Sequence, residues 1–239
     1  MVLCIAAAVA LIGIAGLTSL GIWQLQRLAW KQSLIERVET RIRAEPVPAP
    51  GPTHWAGISG DEYTRIRLTG RFLHDRETLV QAVTERGGGF WVLTPLVSDA
   101  GFTVLVNRGF VPPERRDPQS RAEALPGGTV SVIGLLRPSE PGGGFLRENA
   151  PAQNRWHSRD VASIAQTRGL TEAAPYFVDA DATPNPGGFP VGGLTVLRFS
   201  DNHLVYALTW FALALMLACA TIFVLRGEYR LRRGMEAEH

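Results

Sequence analysis

The chain has 239 residues, a formal net charge of +2 and 46% hydrophobic residues, and its mean hydropathy of +0.05 is high for a soluble protein. So balanced a charge gives no support for a nucleic-acid partner. The two cysteines, Cys4 and Cys219, both fall in apolar segments, which excludes disulfides and cysteine-based zinc sites from the middle of the chain.

Val2 to Trp23 is the first apolar segment, and no charged residue interrupts it. Its length matches one membrane span. A signal peptide is the rival reading. The run is longer than a signal core, lacks a basic start and passes without a break into a further helical pattern. Residues 1–23 are therefore expected to be an uncleaved transmembrane helix. Gly13, Gly16 and Gly21 either let another helix approach closely or are ordinary glycines of a membrane helix.

Residues 24–44 read as a juxtamembrane amphipathic helix. Leu25, Leu28, Ile35, Val38 and Ile42 form its apolar stripe, and Arg27, Lys31, Arg37, Arg41 and Arg43 make the other side basic. Trp23 and Trp30 suit a headgroup layer. The cations have two readings: contact with lipid phosphates, or pairing of Arg27 or Lys31 with a ligand carboxylate. Residues 45–60 hold four prolines and three glycines, which reads as a linker.

Residues 61–200 are mostly β in pattern. Tyr63 to Phe72 alternates apolar and polar residues, as a half-buried strand does. Thr78 to Val83 follows, and Gly87-Gly88-Gly89 is expected to turn the chain into Phe90 to Val97. Asp99-Ala100-Gly101 then closes a hairpin with Phe102 to Val106. Thr129 to Leu136 and Pro175 to Asp179 read as two more strands, and Leu194 to Phe199 returns the chain to the membrane. Asp160 to Arg168 reads as a short helix, with Ser158 as a possible cap. Short strands joined by Gly/Pro turns imply an antiparallel sheet or small barrel.

Residues 201–226 form the second span. Leu204 to Leu225 contains no Asp, Glu, Lys, Arg or His, and at about 1.5 Å per residue it crosses a hydrocarbon core of roughly 30 Å. Residues 227–239 are a basic tail. The expected fold class is thus a membrane protein of α+β type: two transmembrane helices flanking a mainly antiparallel β domain, sheet or small barrel, with a short helical insert. Arg226, Arg230, Arg232 and Arg233 argue for a cytoplasmic tail, so both termini are expected inside and the central domain outside.

No Gly-rich phosphate loop, GxSxG elbow, catalytic triad or carboxylate pair occurs, and nothing in the sequence signals catalysis. His54, His74 and His157 lack a second ligand at metal-binding spacing. Arg108 in Asn107-Arg108-Gly109-Phe110 either presents a cation to an anion or is buried in the fold. The remaining candidate is the mouth of the second span. His203, Tyr206 and Trp210 fall at i, i+3 and i+7 and share a helical face. An interfacial histidine backed by aromatics can be a metal or haem-iron ligand, or can simply be hydrogen-bonded to its neighbours.

Four motifs in order carry a family resemblance. They are Leu20-Gly21-Ile22-Trp23-Gln24-Leu25-Gln26-Arg27 with Lys31, Tyr63 with Gly70-Arg71-Phe72, Val106-Asn107-Arg108-Gly109-Phe110-Val111-Pro112, and Asn202-His203-Leu204-Val205-Tyr206-Ala207-Leu208-Thr209-Trp210-Phe211. With two spans around a central domain, the chain resembles the Surfeit locus protein 1 family of cytochrome c oxidase assembly factors over nearly its whole length. The resemblance implies a non-enzymatic inner-membrane protein with its domain in the periplasm or intermembrane space. It implies binding of haem a as transient cargo, with His203 as the metal ligand, and delivery to the haem-bearing oxidase subunit. The haem a synthesis machinery is a further implied partner. The expected cofactor-binding set is His203, Tyr206, Trp210, Trp23, Gln24, Arg27 and Lys31, with the macrocycle between two helices packed side by side. Two rival readings stay open: a haem-free scaffold that stabilises an oxidase assembly intermediate, and a membrane-anchored enzyme, for which no residue argues.

Overall fold

The computed structural model describes residues 2–144, 147–195 and 202–236. The chain divides into two units, residues 1–37 with 198–239 and residues 38–197. The first unit is built on α1 (Val2–Arg43) and α3 (His203–Glu236). Both helices are long and apolar enough to cross a membrane.

The sheltered positions of these helices recur in steps of three and four. On α1 they include Ala10, Ile14, Leu17, Gly21, Gln24 and Leu28, and on α3 His203, Ala207, Trp210, Ala214, Leu217 and Thr221. That spacing is the seam of a coiled-coil-like pair. Small residues set its closeness. Ala207 is 1% exposed and Ala214 6%, and a Cβ on Gly21 would lie 2.5 Å from the Phe211 ring. Lipid tails are as apolar as leucine, so close packing of this kind, rather than a hydrophobic drive, holds such helices together. The expected span and juxtamembrane helix are one unbroken element, because no Gly or Pro breaker separates residues 23 and 24. The last turn of α1, from Val38, belongs to the second unit, where Arg41 donates to the carbonyls of Gly60 at 2.7 Å and Glu62 at 3.2 Å. The tail is likewise a continuation of α3 as far as Glu236.

The second unit holds seven strands: β1 (Val47–Pro48), β2 (Arg65–Phe72), β3 (Thr78–Thr84), β4 (Gly87–Ser98), β5 (Thr103–Val111), β6 (Val130–Pro138) and β7 (Ala173–Ala180). Their order is β1-β2-β6-β7-β5-β4-β3, and a further β2–β4 pairing closes β2, β6, β7, β5 and β4 into a small barrel. Most pairings are antiparallel; β1–β2 and β5–β7 are parallel. Closure happens at Gly70, where β2 passes from β6 to β4. A Cβ there would sit 2.1 Å from the Val97 carbonyl oxygen, so only glycine permits the crossing.

The alternation in β2 sends Ile66, Leu68 and Phe72 inward, where they meet Leu96, Val104, Val106, Tyr176 and Val178. A second core lies outside the barrel wall, where Trp156 and helix α2 (Val161–Arg168) cover Val80, Leu93, Leu105 and Phe177. Strand β5 lies between the two cores, and all nine of its residues are buried. That explains the consecutive apolar residues Val104 to Val106, since a strand covered on both faces shows no alternation.

Three sequence readings change here. The proline-rich segment 45–60 is not a linker. Pro52–Asp61 forms a 3₁₀ helix whose Ile58 enters the barrel core, and the Pro50 carbonyl accepts from Trp55 Nε1 at 3.1 Å and the Tyr176 hydroxyl at 2.9 Å. Its prolines stiffen the unfolded chain, which favours the docked form. Gly87, Gly88 and Gly89 lie inside β4, paired with Thr84, Val83 and Ala82, so the turn comes before them. The cap of α2 is Asp160, whose carboxylate accepts from the Ser163 amide at 3.1 Å and its hydroxyl at 2.8 Å. Ser158 instead accepts from Gly143 and Asn149. Of the stretch from Leu194 to Phe199, expected to return the chain to the membrane, residues 194 and 195 have no regular structure and the remainder lies outside the described residues.

Candidate functional site

Helix α3 begins at His203, so its imidazole stands at the end of the apolar seam rather than inside it. Nδ1 of His203 donates to Oε1 of Gln24 on α1 at 2.7 Å. An amide oxygen only accepts, so Nδ1 is the nitrogen that carries a proton, and in the neutral ring the lone pair falls on Nε2. A ligand histidine characteristically gives its other ring N–H to an oxygen in this way. Gln24 meets the ring from the facing helix, one turn after Gly21.

The other expected residues divide between two faces. Trp210 lies on the sheltered seam with His203, two turns further into α3, whereas Tyr206 is 54% exposed on the flank. On α1, Gln24 and Lys31 lie on the sheltered side, seven residues apart. Trp23 is 53% exposed on the outer side, and so is Arg27, whose guanidinium sits over the Trp30 ring at 4.2 Å. That contact fixes the cation at the helix surface. At the level of Gly21 and Phe211 the two helices touch. The helices leave no room for a flat ring between them at that level, and Trp23 and Tyr206 are each exposed on their own helix.

The sheet unit contains a second polar centre that the sequence did not reveal. Asp179 at the end of β7 is 4% exposed. It accepts from Asn107 Nδ2 at 2.7 Å and from Arg137, Arg159 and Thr195 at 3.2 Å each. Glu140 binds Arg159 through Oε1 at 2.5 Å and Oε2 at 2.9 Å. Burial alone would raise the Glu140 pKa; the hydrogen bonds and charge of Arg159, with help from Arg137, outweigh it and hold the carboxyl below its ordinary value. A cavity of about 220 Å³ adjoins the network, lined partly by Trp91, Gly109 and Gly193. With four donors, the Asp179 carboxylate has its acceptor capacity filled, so the network braces strand ends. The signal for it was faint: Arg137 and Asp179 each close an apolar run.

Arg108 follows the buried reading. It is 4% exposed, stacks 5.1 Å from the Phe72 ring and donates to Asn185 Oδ1 at 3.2 Å. Burial lowers its pKa to about 10. His74 Nε2 meets the Pro126 carbonyl at 3.1 Å. Among the described residues no group of His, Cys, Asp or Glu is arranged to hold a metal ion. A single histidine as the one side-chain ligand is the remaining donor set.

Residues 11–215 match the family model described as the SURF1 family. Surfeit locus protein 1 of Homo sapiens is 38% identical over 212 residues, which cover 82% of this chain and 69% of the relative. Surfeit locus protein 1 of Mus musculus is 37% identical over 210 residues, 81% of this chain and 67% of the relative. The SURF1-like protein of Monosiga brevicollis is 38% identical over 232 residues, 91% and 86% of the two chains.

Proposed function

This chain belongs to the SURF1 family, and we propose that it is a cytochrome c oxidase assembly factor that carries haem a at the membrane rim and passes it to the haem-bearing oxidase subunit. The observation that carries the cargo reading is the 2.7 Å bond between His203 Nδ1 and Gln24. It orients a histidine at the end of two apolar helices with Nδ1 engaged, which leaves Nε2 as the nitrogen through which a neutral imidazole ligates haem iron.

The remaining residues take roles that follow from their positions. His203 Nε2 would supply the iron ligand. Tyr206 and Trp23, exposed on the flanks, would offer apolar ring surface, while Trp210 lines the seam two turns further into α3. Arg27, steadied by Trp30, meets a propionate by a charge-assisted hydrogen bond, and Lys31 takes the second. The farnesyl tail lies in lipid. One side-chain ligand at an open rim suits a protein that must release what it binds. The protein is proposed to lie in the inner membrane with both termini cytoplasmic and the sheet unit periplasmic.

The test is haem a content and absorption spectrum of the purified chain, wild type beside His203→Ala. Stoichiometric haem a in the wild type and loss of the histidine-ligated spectrum in a folded variant are expected. Equal haem retention removes His203 as ligand. Absence of haem from both, with oxidase subunits still co-purifying, replaces the carrier with a haem-free scaffold.

A further inference from the structure

We infer that Gln24 is the positioning residue of this site, holding the imidazole of His203 in the tautomer protonated on Nδ1 so that Nε2 alone faces the metal. This rests on the reading of His203 as an iron ligand and adds what controls it. Gln24 and His203 are 179 residues apart in sequence and meet at 2.7 Å. Residues 2–22 of the same helix include no charged side chain, so a polar amide at the seam is costly unless it is paired. The choice of amide has a chemical consequence. A carboxylate in its place would draw the Nδ1 proton towards itself, give the ring imidazolate character and tighten the bond to iron. An amide oxygen fixes the tautomer while leaving the donor neutral. A carrier built to hand its cargo on needs that weaker setting.

The competing account makes the bond an interhelical fastener and nothing more. The two differ in the sign of their effects on iron. With haem a bound to the full-length protein in detergent, Gln24→Glu is expected to lower the reduction potential and Gln24→Leu to raise it. Gln24→Leu also weakens haem a binding by about 10- to 100-fold, the usual consequence of losing an outer-shell partner. A fastener predicts that both variants loosen the helix pair and shift the potential the same way or not at all. The haem-free protein gives an independent readout: with ¹⁵N-labelled histidine, the His203 signals, identified by their loss in His203→Ala, should report a proton on Nδ1 in the wild type and in Gln24→Glu. Should Gln24→Leu fail to fold, these two proteins still decide the tautomer. A proton found on Nε2, or potentials that move together, overturns the role of Gln24 while His203→Ala still loses its spectrum. Retention of that spectrum in His203→Ala overturns the ligand reading itself, and the Gln24 role falls with it.

Discussion

The helix pair and the sheet unit bury polar groups in opposite ways. In the sheet unit, Asp179 gathers four donors and Arg159 is shared between two carboxylates, a network that closes upon itself. In the helix pair, a neutral amide meets one nitrogen of an imidazole at the end of an apolar seam. A buried charge network resists change because removing one member strands the rest. The hydrogen bond at the part-buried helix end joins an amide to a ring in place of opposed charges. The difference teaches where to look for chemistry in this chain: at the rim of the helices, with the sheet unit as a rigid body whose interior charges are spent on its own strands.

The sharpest way to break this contrast is Asp179→Ala. It leaves Arg137 and Arg159 with part of their buried charge unmatched, and a loss of about 3–5 kcal/mol in the stability of the sheet unit is expected. Chemical denaturation followed by the β signal in circular dichroism measures it. Binding of haem a by whatever protein remains folded should be unchanged. Haem loss in folded Asp179→Ala would tie the network to the site and dissolve the contrast.

Gly21→Ile attacks the other unit. The new side chain meets the Phe211 ring, whose nearest atom would be 2.5 Å from its Cβ. Overpacking of this sort costs about 1–3 kcal/mol. It should part the helices at their rim, breaking the His203–Gln24 bond and haem a binding together, with the sheet unit melting as before. Spin labels on α1 and α3 would report the separation as a longer distance. Asp160→Ala is smaller again. It removes the cap of α2, worth about 1 kcal/mol, and uncovers the amide of Ser163 beside the outer core.

Much of this architecture was legible in the chain. Two uncharged runs long enough to span a membrane declared themselves by composition, and the alternation from Tyr63 to Phe72 declared β2. Covered on both faces, β5 was found as an apolar run, but its length was underread because Asn107 and Arg108 interrupt it. Both are buried, one held by Asp179 and the other by Asn185 and Phe72. The segment 45–60 misled for a related reason. Proline content signals the absence of helix, and it says nothing of whether Tyr176 and Trp55 wait to bond Pro50. Of the candidate site, His203 was visible as an interfacial histidine and Gln24 as part of a motif. Their contact was not, since it depends on the register of two helices set by Gly21, Ala207 and Phe211. The exposed outlook of Tyr206 depends on the same register.

Acid sharpens the contrast by the smallest margin. Glu140 is buried enough that desolvation alone would lift its pKa, yet Arg159 and Arg137 hold it below its ordinary 4.5. Between those two values the folded chain binds fewer protons than the unfolded one, so stability rises with pH across that window. The contribution of Glu140 is therefore whole above about 4.5, the unfolded value, and is lost as the pH falls through the lowered folded value. Its side chain is 36% exposed, and solvent screening keeps the step small. Thermal melting of the sheet unit measured at intervals from neutral pH downward should show the wild type losing ground to Glu140→Gln below about 4.5, because the amide has no proton to take up. No such difference is expected in the melting of the helix pair, where the seam holds a neutral amide in place of a carboxylate. If the two proteins instead lose stability in parallel, Glu140 has the same affinity for its proton folded and unfolded, and the sheet unit owes less to its arginines than the hydrogen bonds at 2.5 and 2.9 Å indicate.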